Sequence, residues 1–212
     1  VEQEDIFYYM TIYNENYAQP AMPKDAREGI LRGIYQFRRS DNKKNSKLRA
    51  GLLGSGPILN LTLKAADLLE EKYGVAVDVY SVTSYKELYN DGHDVERWNR
   101  LHPTKKPRVP YVTQVLSKSE GAVFVSASDY VKALGDLIGR WVPGSYTVLG
   151  TDGFGRSESR RALRDFFEID ERWITLATLD TLARDGRIKS DVVAQAIKDF
   201  EMDPERVNPL YR

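Results

Sequence analysis

"LRAGLLGSGPILN", residues 48–60, decides the fold class. Residues 48–53 are a short apolar run, suited to a buried strand. Gly54-Ser55-Gly56 interrupts it, and Pro57 stands near the first position of a helix, where proline is tolerated. From Ile58 the apolar residues recur at helical spacing. Leu59, Leu63, Ala66 and Leu69 form one stripe, which predicts a helix over Ile58–Tyr73 that Gly74 ends. Residues 75–82 return as a near-continuous apolar strand, the kind covered on both faces of a parallel sheet. Strand, glycine turn, helix and strand make a βαβ unit. The expected fold is α/β: three layers, with a mostly parallel sheet flanked by helices and right-handed crossovers.

Downstream, residues 83–110 read as a long irregular region with a short helix around 95–101. A second short helix covers Tyr111–Leu116. Residues 122–127 are expected as a third strand, 130–138 as a helix and 145–149 as a fourth strand. The C-terminal third reads as helical. Ser157 or Ser159 can cap a helix carrying Leu163, Phe166 and Phe167. Asp170 can cap one running to about Arg184, stopped by Gly186. Ser190 can cap one carrying Val193, Ala196, Ile197 and Phe200, and Asp203-Pro204 starts a last turn.

Upstream, residues 6–13, "IFYYMTIY", are β-branched and aromatic and read as a strand apolar on both faces. Such a strand needs neighbours: either it packs on its own domain or, the favoured outcome, it pairs with the same segment of a second copy. Residues 14–24, with Pro20 and Pro23, are an extended connector, 30–37 a short apolar patch, and 38–47 a charged, solvated loop. That loop lacks the interleaved aromatics of a nucleic-acid surface. No internal repeat or low-complexity tract is visible.

The 212 residues suit one domain, or one domain and a linker, with enough chain for a sizeable core. The 31 basic and 31 acidic side chains cancel, so no global field draws in nucleic acid or an anionic membrane. The absence of cysteine excludes disulfides, thiolate metal sites and a cysteine nucleophile, and fits a cytosolic setting. No stretch approaches the roughly 20 apolar residues of a membrane span. Residue 1 is not Met, no secretory leader is visible, and the apolar stretch starts almost at once, so the chain is expected to be a piece of a longer one.

Four features compete for a chemical role. Gly54 and Gly56 match the first two glycines of a dinucleotide fingerprint, but Leu59 occupies the third position, and Asp78 lies inside its strand rather than at the tip. The plainer reading is a tight turn that binds no NAD or ATP. "LGTDGFGRS", residues 149–157, could offer amides to an anion, yet matches neither a phosphate-loop nor a nucleophile-elbow pattern. It is expected to be a tight loop anchored by a buried Phe154. His93 and His102, near Asp91 and Asp94, hint at a metal without any recognised ligand spacing. With two histidines and no cysteine, candidates for acid–base or triad chemistry are few, and no pair of carboxylates can be placed in a cleft.

"QEDIFYYMTIYNENYAQP" (3–20), "EGILRGIYQFR" (28–38), "LLGSGPILN" (52–60) and "LGTDGFGRS" (149–157) resemble the homodimeric bacterial pyruvate dehydrogenase E1 family over nearly the whole chain. Residues 150–157 also resemble the G-x-D-x-F-G-x-S segment of transketolases, and "DVYSVTSYKELYNDG" sits where such E1 chains have their second strand and the following loop. The resemblance implies a three-domain subunit. Its first domain binds the diphosphate of thiamin diphosphate through Mg²⁺, its second binds the pyrimidine and supplies the activating glutamate, and its third is a transketolase C-terminal domain. Residues 1–47 then correspond to the last strand of the pyrimidine-binding domain and the interdomain linker, and 48–212 to the third domain. The G-D-G metal motif, the activating glutamate and the catalytic histidines belong to upstream segments. The resemblance therefore assigns no catalytic, cofactor-binding or metal residue to this chain, and His93 and His102 match no catalytic position of the family.

The implied parent is a cytoplasmic bacterial enzyme. It decarboxylates pyruvate on thiamin diphosphate and passes the two-carbon unit to lipoyl groups of the acetyltransferase E2, with the cofactor held between domains of two subunits. For this chain the expected role is structural, buttressing the dimer and packing on the pyrimidine domain. The alternatives are a docking module for E2 and a stand-alone nucleotide-binding domain.

Overall fold

The computed structural model describes residues 5–10, 12, 13, 15–41 and 47–211. From the N-terminal side come α1 (Arg27–Leu31), β1 (Ile34–Arg38), β2 (Arg49–Gly54), α2 (Ile58–Tyr73), β3 (Ala76–Val82), α3 (Tyr85–Leu101), α4 (Tyr111–Leu116) and β4 (Val123–Ala127). Then follow α5 (Lys132–Asp136), β5 (Tyr146–Leu149), α6 (Arg160–Phe166), α7 (Glu171–Arg184) and α8 (Ser190–Asp199). The sheet order is β1-β3-β2-β4-β5. Strands β2 to β5 run parallel, and β1 is antiparallel to β3. The expected three-layer, mostly parallel α/β architecture is present.

Two cores follow from strand alternation. Ala50, Leu52, Val77, Val79 and Val125 face α2 and α7, with α8 packed outside. Leu53, Tyr80, Val82 and Phe124 face the other way, against Leu88 of α3, Val112 and Leu116 of α4, and Trp141. All seven residues of β3 are buried, as its near-continuous apolar run predicts.

Where boundary chemistry is local, elements begin and end as read. α2 follows Pro57 and closes on Gly74, which is left-handed at φ 65°. Ser159 accepts from the Ala162 amide at the start of α6, and Asp170 from the amides of Arg172 and Trp173 at the start of α7. Ser190 is the first helical residue of α8 rather than a side-chain cap. The helix expected over 130–138 shortens to α5 and is followed by a 3₁₀ turn, Gly139–Trp141.

Four expectations are corrected. Residues 83–110 are not mainly irregular, because α3 occupies 17 of them. Its start is signalled by Ser84 accepting from the Glu87 amide, and its middle is held by the Trp141 ring lying on Gly92. The sheet starts earlier than the βαβ unit, since β1 lies within the segment read as patch and linker and pairs with the edge of β3. Residues 6–10, 12 and 13 form no strand and stand largely exposed, Phe7 by 90%. Extended backbone with no partner closes no ladder. Phe154 is not a buried anchor: its ring is 79% exposed. Gly153, at φ 94°, brings the loop backbone against Pro209 and Leu210 and leaves the ring outside. Residues 11 and 14, and 42–46 of the charged loop, lie outside the described residues.

Candidate functional site

The C-terminal ends of β2, β4 and β5 form one edge, and residues 12, 13 and 15–20 run beside it. The turn after β2 is stapled. The Ser55 amide donates to Ala127 O at 3.3 Å, and its hydroxyl to Val82 O at 2.8 Å, so one residue ties the ends of β3 and β4 to β2. The amides of Ile58, Leu59 and Asn60 are taken by turn carbonyls at 3.2 Å, and Pro57 has none. Those are the donors a pyrophosphate would need at a helix N-terminus. The close helix–strand approach that a third glycine would permit is made from the strand side instead. A Cβ on Gly54 would lie 2.8 Å from Leu59 Cα.

Two grooves flank Tyr13. One, of about 690 Å³, lies over the ends of β2 and β3 and is lined by Tyr17, Met22, Tyr35, Gly56 and Thr83. The other, of about 390 Å³, lies towards α6 between Thr151, Arg156, Arg160, Arg164 and Phe167. The Tyr13 hydroxyl donates to Asp129 Oδ2 at 2.9 Å, and its ring meets Tyr17 edge-on. Burial, then the Asp129 carboxylate, raises the Tyr13 phenol well above its ordinary value, so it is a proton-bearing hydrogen-bond donor. Asn60 Nδ2 donates to Ala18 O at 3.1 Å, and Arg160 lies 4.0 Å from Glu15. These contacts hold residues 13 and 15–18 on the edge.

The serine hydroxyls beside the grooves are engaged in hydrogen bonds. Ser55 donates to a backbone carbonyl, and the Ser128 hydroxyl accepts from the Tyr130 amide. Neither histidine lines a groove. His93 packs edge-on against Tyr89 and Trp141, and His102 stacks on Trp98 at 4.4 Å. Asp91 accepts from the Tyr111 amide at 2.6 Å and faces Arg32 at 3.5 Å. Among the described residues no three His, Cys, Asp or Glu side chains gather to hold a metal. Asp78 sits mid-strand as read, but as the centre of a network. It accepts from the Ser40 amide and Arg49 Nη2, each at 2.9 Å, and from Ser119, whose hydroxyl also meets Tyr80. The sequence signalled its burial but none of these distant partners.

Residues 33–170 match the family described as the transketolase-like TK C-terminal domain. The chain belongs to that family. This transketolase C-terminal domain is 51% identical over 99% of its length to the pyruvate dehydrogenase E1 component of Pseudomonas aeruginosa, covering 24% of that protein. It is 48% identical over 99% of its length to the component of the same name from Cupriavidus necator, covering 23%. It thus spans about a quarter of the length of these curated relatives. Among solved structures, transketolase from Leishmania mexicana is similar over 74% of this chain and 19% of its own, at 22% identity and a TM-score of 0.49.

Thiamin diphosphate and Mg²⁺ are what the family resemblance implies for the longer enzyme, and among the described residues no three His, Cys, Asp or Glu side chains gather to hold the metal. The acids beside the grooves are engaged, Asp129 by Tyr13 and Asp152 by the Lys132 amide.

Proposed function

We propose that this chain is the C-terminal domain of a pyruvate dehydrogenase E1 component. The longer enzyme decarboxylates pyruvate with thiamin diphosphate and Mg²⁺ and reductively acetylates the lipoyl groups of E2, as a cytoplasmic homodimer. The observation that carries the reading is the 48–51% identity, along 99% of the chain, to proteins of that name.

Within that enzyme the domain is structural. Residues 1–47 are the last strand of the pyrimidine-binding domain and the linker, with 34–38 captured by the sheet edge, and 48–212 are the C-terminal domain. The exposed apolar residues 6–10 and 12 support this division, since they need a sheet that the described residues do not supply. The grooves beside Tyr13 seat the linker, and the domain buttresses the dimer without contributing a catalytic, cofactor or metal residue.

The test has two arms. The full-length enzyme should release CO₂ from pyruvate only with thiamin diphosphate and Mg²⁺ present. The 212-residue chain should bind no thiamin diphosphate in calorimetry. Saturable, Mg²⁺-dependent binding to the chain at micromolar levels would place part of the active site here and overturn the structural role.

A further inference from the structure

Residues 97–108, "RWNRLHPTKKPR", hold five cations (Arg97, Arg100, Lys105, Lys106 and Arg108) and no acid, in a chain whose formal charge is zero. All five are exposed, and none forms an ion pair with a described residue. Of the acids earlier on α3, Glu96 takes Trp141 Nε1 at 2.9 Å and faces Arg140 at 3.2 Å, Asp91 holds the Tyr111 amide, and the exposed Asp94 forms no ion pair with Arg97 or Arg100. The patch keeps its field instead of neutralising it internally.

The patch is also rigid. Asn99 clamps Arg108 with two bonds: Oδ1 accepts from its amide at 2.8 Å, and Nδ2 donates to its carbonyl at 3.0 Å. Trp98 carries the His102 ring stacked at 4.4 Å and the Arg108 guanidinium at 3.9 Å. Pro103, Pro107 and Pro110 restrict the backbone between. Ordering costs that a flexible basic tail would incur on binding are therefore already met. Two aliphatic side chains stand among the cations: Leu101 is 56% exposed and Val109 46%.

We infer that residues 97–109 are a preformed docking platform for an acidic protein segment that also carries apolar side chains. Charge complementarity selects acidic partners and steers encounter. Leu101 and Val109 supply the apolar contacts around which interface energy concentrates. Single-stranded nucleic acid is disfavoured because stacking needs an open aromatic face, and the Trp98 ring is already packed against His102 and Arg108. A membrane surface is disfavoured because insertion needs a continuous apolar face, and here there are two separated side chains. The inference is independent of the proposed catalytic identity of the longer enzyme.

The probe is a labelled helical peptide of about four turns, rich in glutamate, with leucines four residues apart on one face. Its binding to the full chain is read by fluorescence anisotropy near physiological salt. Lys105→Glu with Lys106→Glu should weaken it by about tenfold or more, Leu101→Ser by about threefold, and Arg161→Glu, an exposed charge on α6, by less than about twofold. Unchanged melting temperatures show that the variants fold. Raising salt in the unmutated chain must weaken the same complex, which tests the platform without any substitution. Equal loss with Arg161→Glu, no loss with Leu101→Ser, or no binding would overturn the proposal. So would tighter binding of phosphatidylglycerol vesicles or duplex DNA in the same buffer, which would assign the patch to another class of partner.

Discussion

Gly54→Ala probes the stretch that decides the fold. The added methyl would lie 2.8 Å from Leu59 Cα and 2.7 Å from Thr62 Oγ1. Leu59 is helix backbone and cannot step aside alone. Thr62 Oγ1 is committed to Ile58 O at 3.0 Å. The first turn of α2 must therefore back away from β2, loosening Ile58, Leu59 and Thr62, all buried. Overpacking of this kind costs about 1–3 kcal/mol, and backbone obstruction points to the upper half of that range. For a chain of this size, that lowers the melting temperature by about 5–10 °C. Two companion variants isolate the cause. Gly56, at φ 54°, would bring its methyl no nearer than 3.4 Å, to the Tyr13 hydroxyl, so Gly56→Ala should cost about 1 kcal/mol from backbone conformation alone. Gly155→Ala meets nothing within 4 Å and should be near neutral. Urea and thermal unfolding of the three single variants should give that order. A Gly54→Ala protein as stable as the parent chain, or less damaged than Gly56→Ala, would refute the close-approach reasoning.

Asp78 is 1% exposed and accepts from Arg49, Ser40 and Ser119, so Asp78→Ala should destabilise by about 3–5 kcal/mol. Adding Arg49→Met should recover part of that loss in denaturant unfolding, because the orphaned cation goes too; full additivity of the two changes would argue against the pair. Burial pushes the Tyr85 phenol up to about 12, against the pull of the Ser126 and Ser55 hydroxyls, and likewise lifts Tyr80 to about 12. Both stay protonated in the fold while the unfolded chain ionises from pH 10 upward, so stability should fall between about pH 10 and 12. Tyr85→Phe should flatten that fall, and an alkaline absorbance titration in which every tyrosine ionises near pH 10 would contradict it. Phe154→Ala should change stability by less than about 0.5 kcal/mol because the ring is exposed, and a loss of several kcal/mol on calorimetry would restore the anchor role first expected of it.

The boundaries of α2 and α7 were legible in the sequence because their determinants are local. Pro57 and Gly74 act through their own backbone dihedrals, and Asp170 through amides two and three residues away. β2 and β3 were legible because a short, mostly apolar run has few ways to be buried. The absence of cysteine and the incomplete glycine fingerprint were likewise plain from the residues. α3 was obscured because its composition is polar and a glycine sits at its centre. Its stability depends on Trp141, 49 positions away, filling the space that Gly92 leaves. β1 becomes a strand only because β3 offers it a free edge, whereas in the stronger strand former upstream, residues 6–10, 12 and 13 find no edge among the described residues and form no strand. Phe154 shows the same asymmetry: its type suggests burial, but the approach of Gly153 to Pro209 turns the ring outward. Turns, caps and apolar runs are fixed by near neighbours along the chain, whereas edges, close approaches and the partners of buried charges such as Asp78 exist only once distant segments meet.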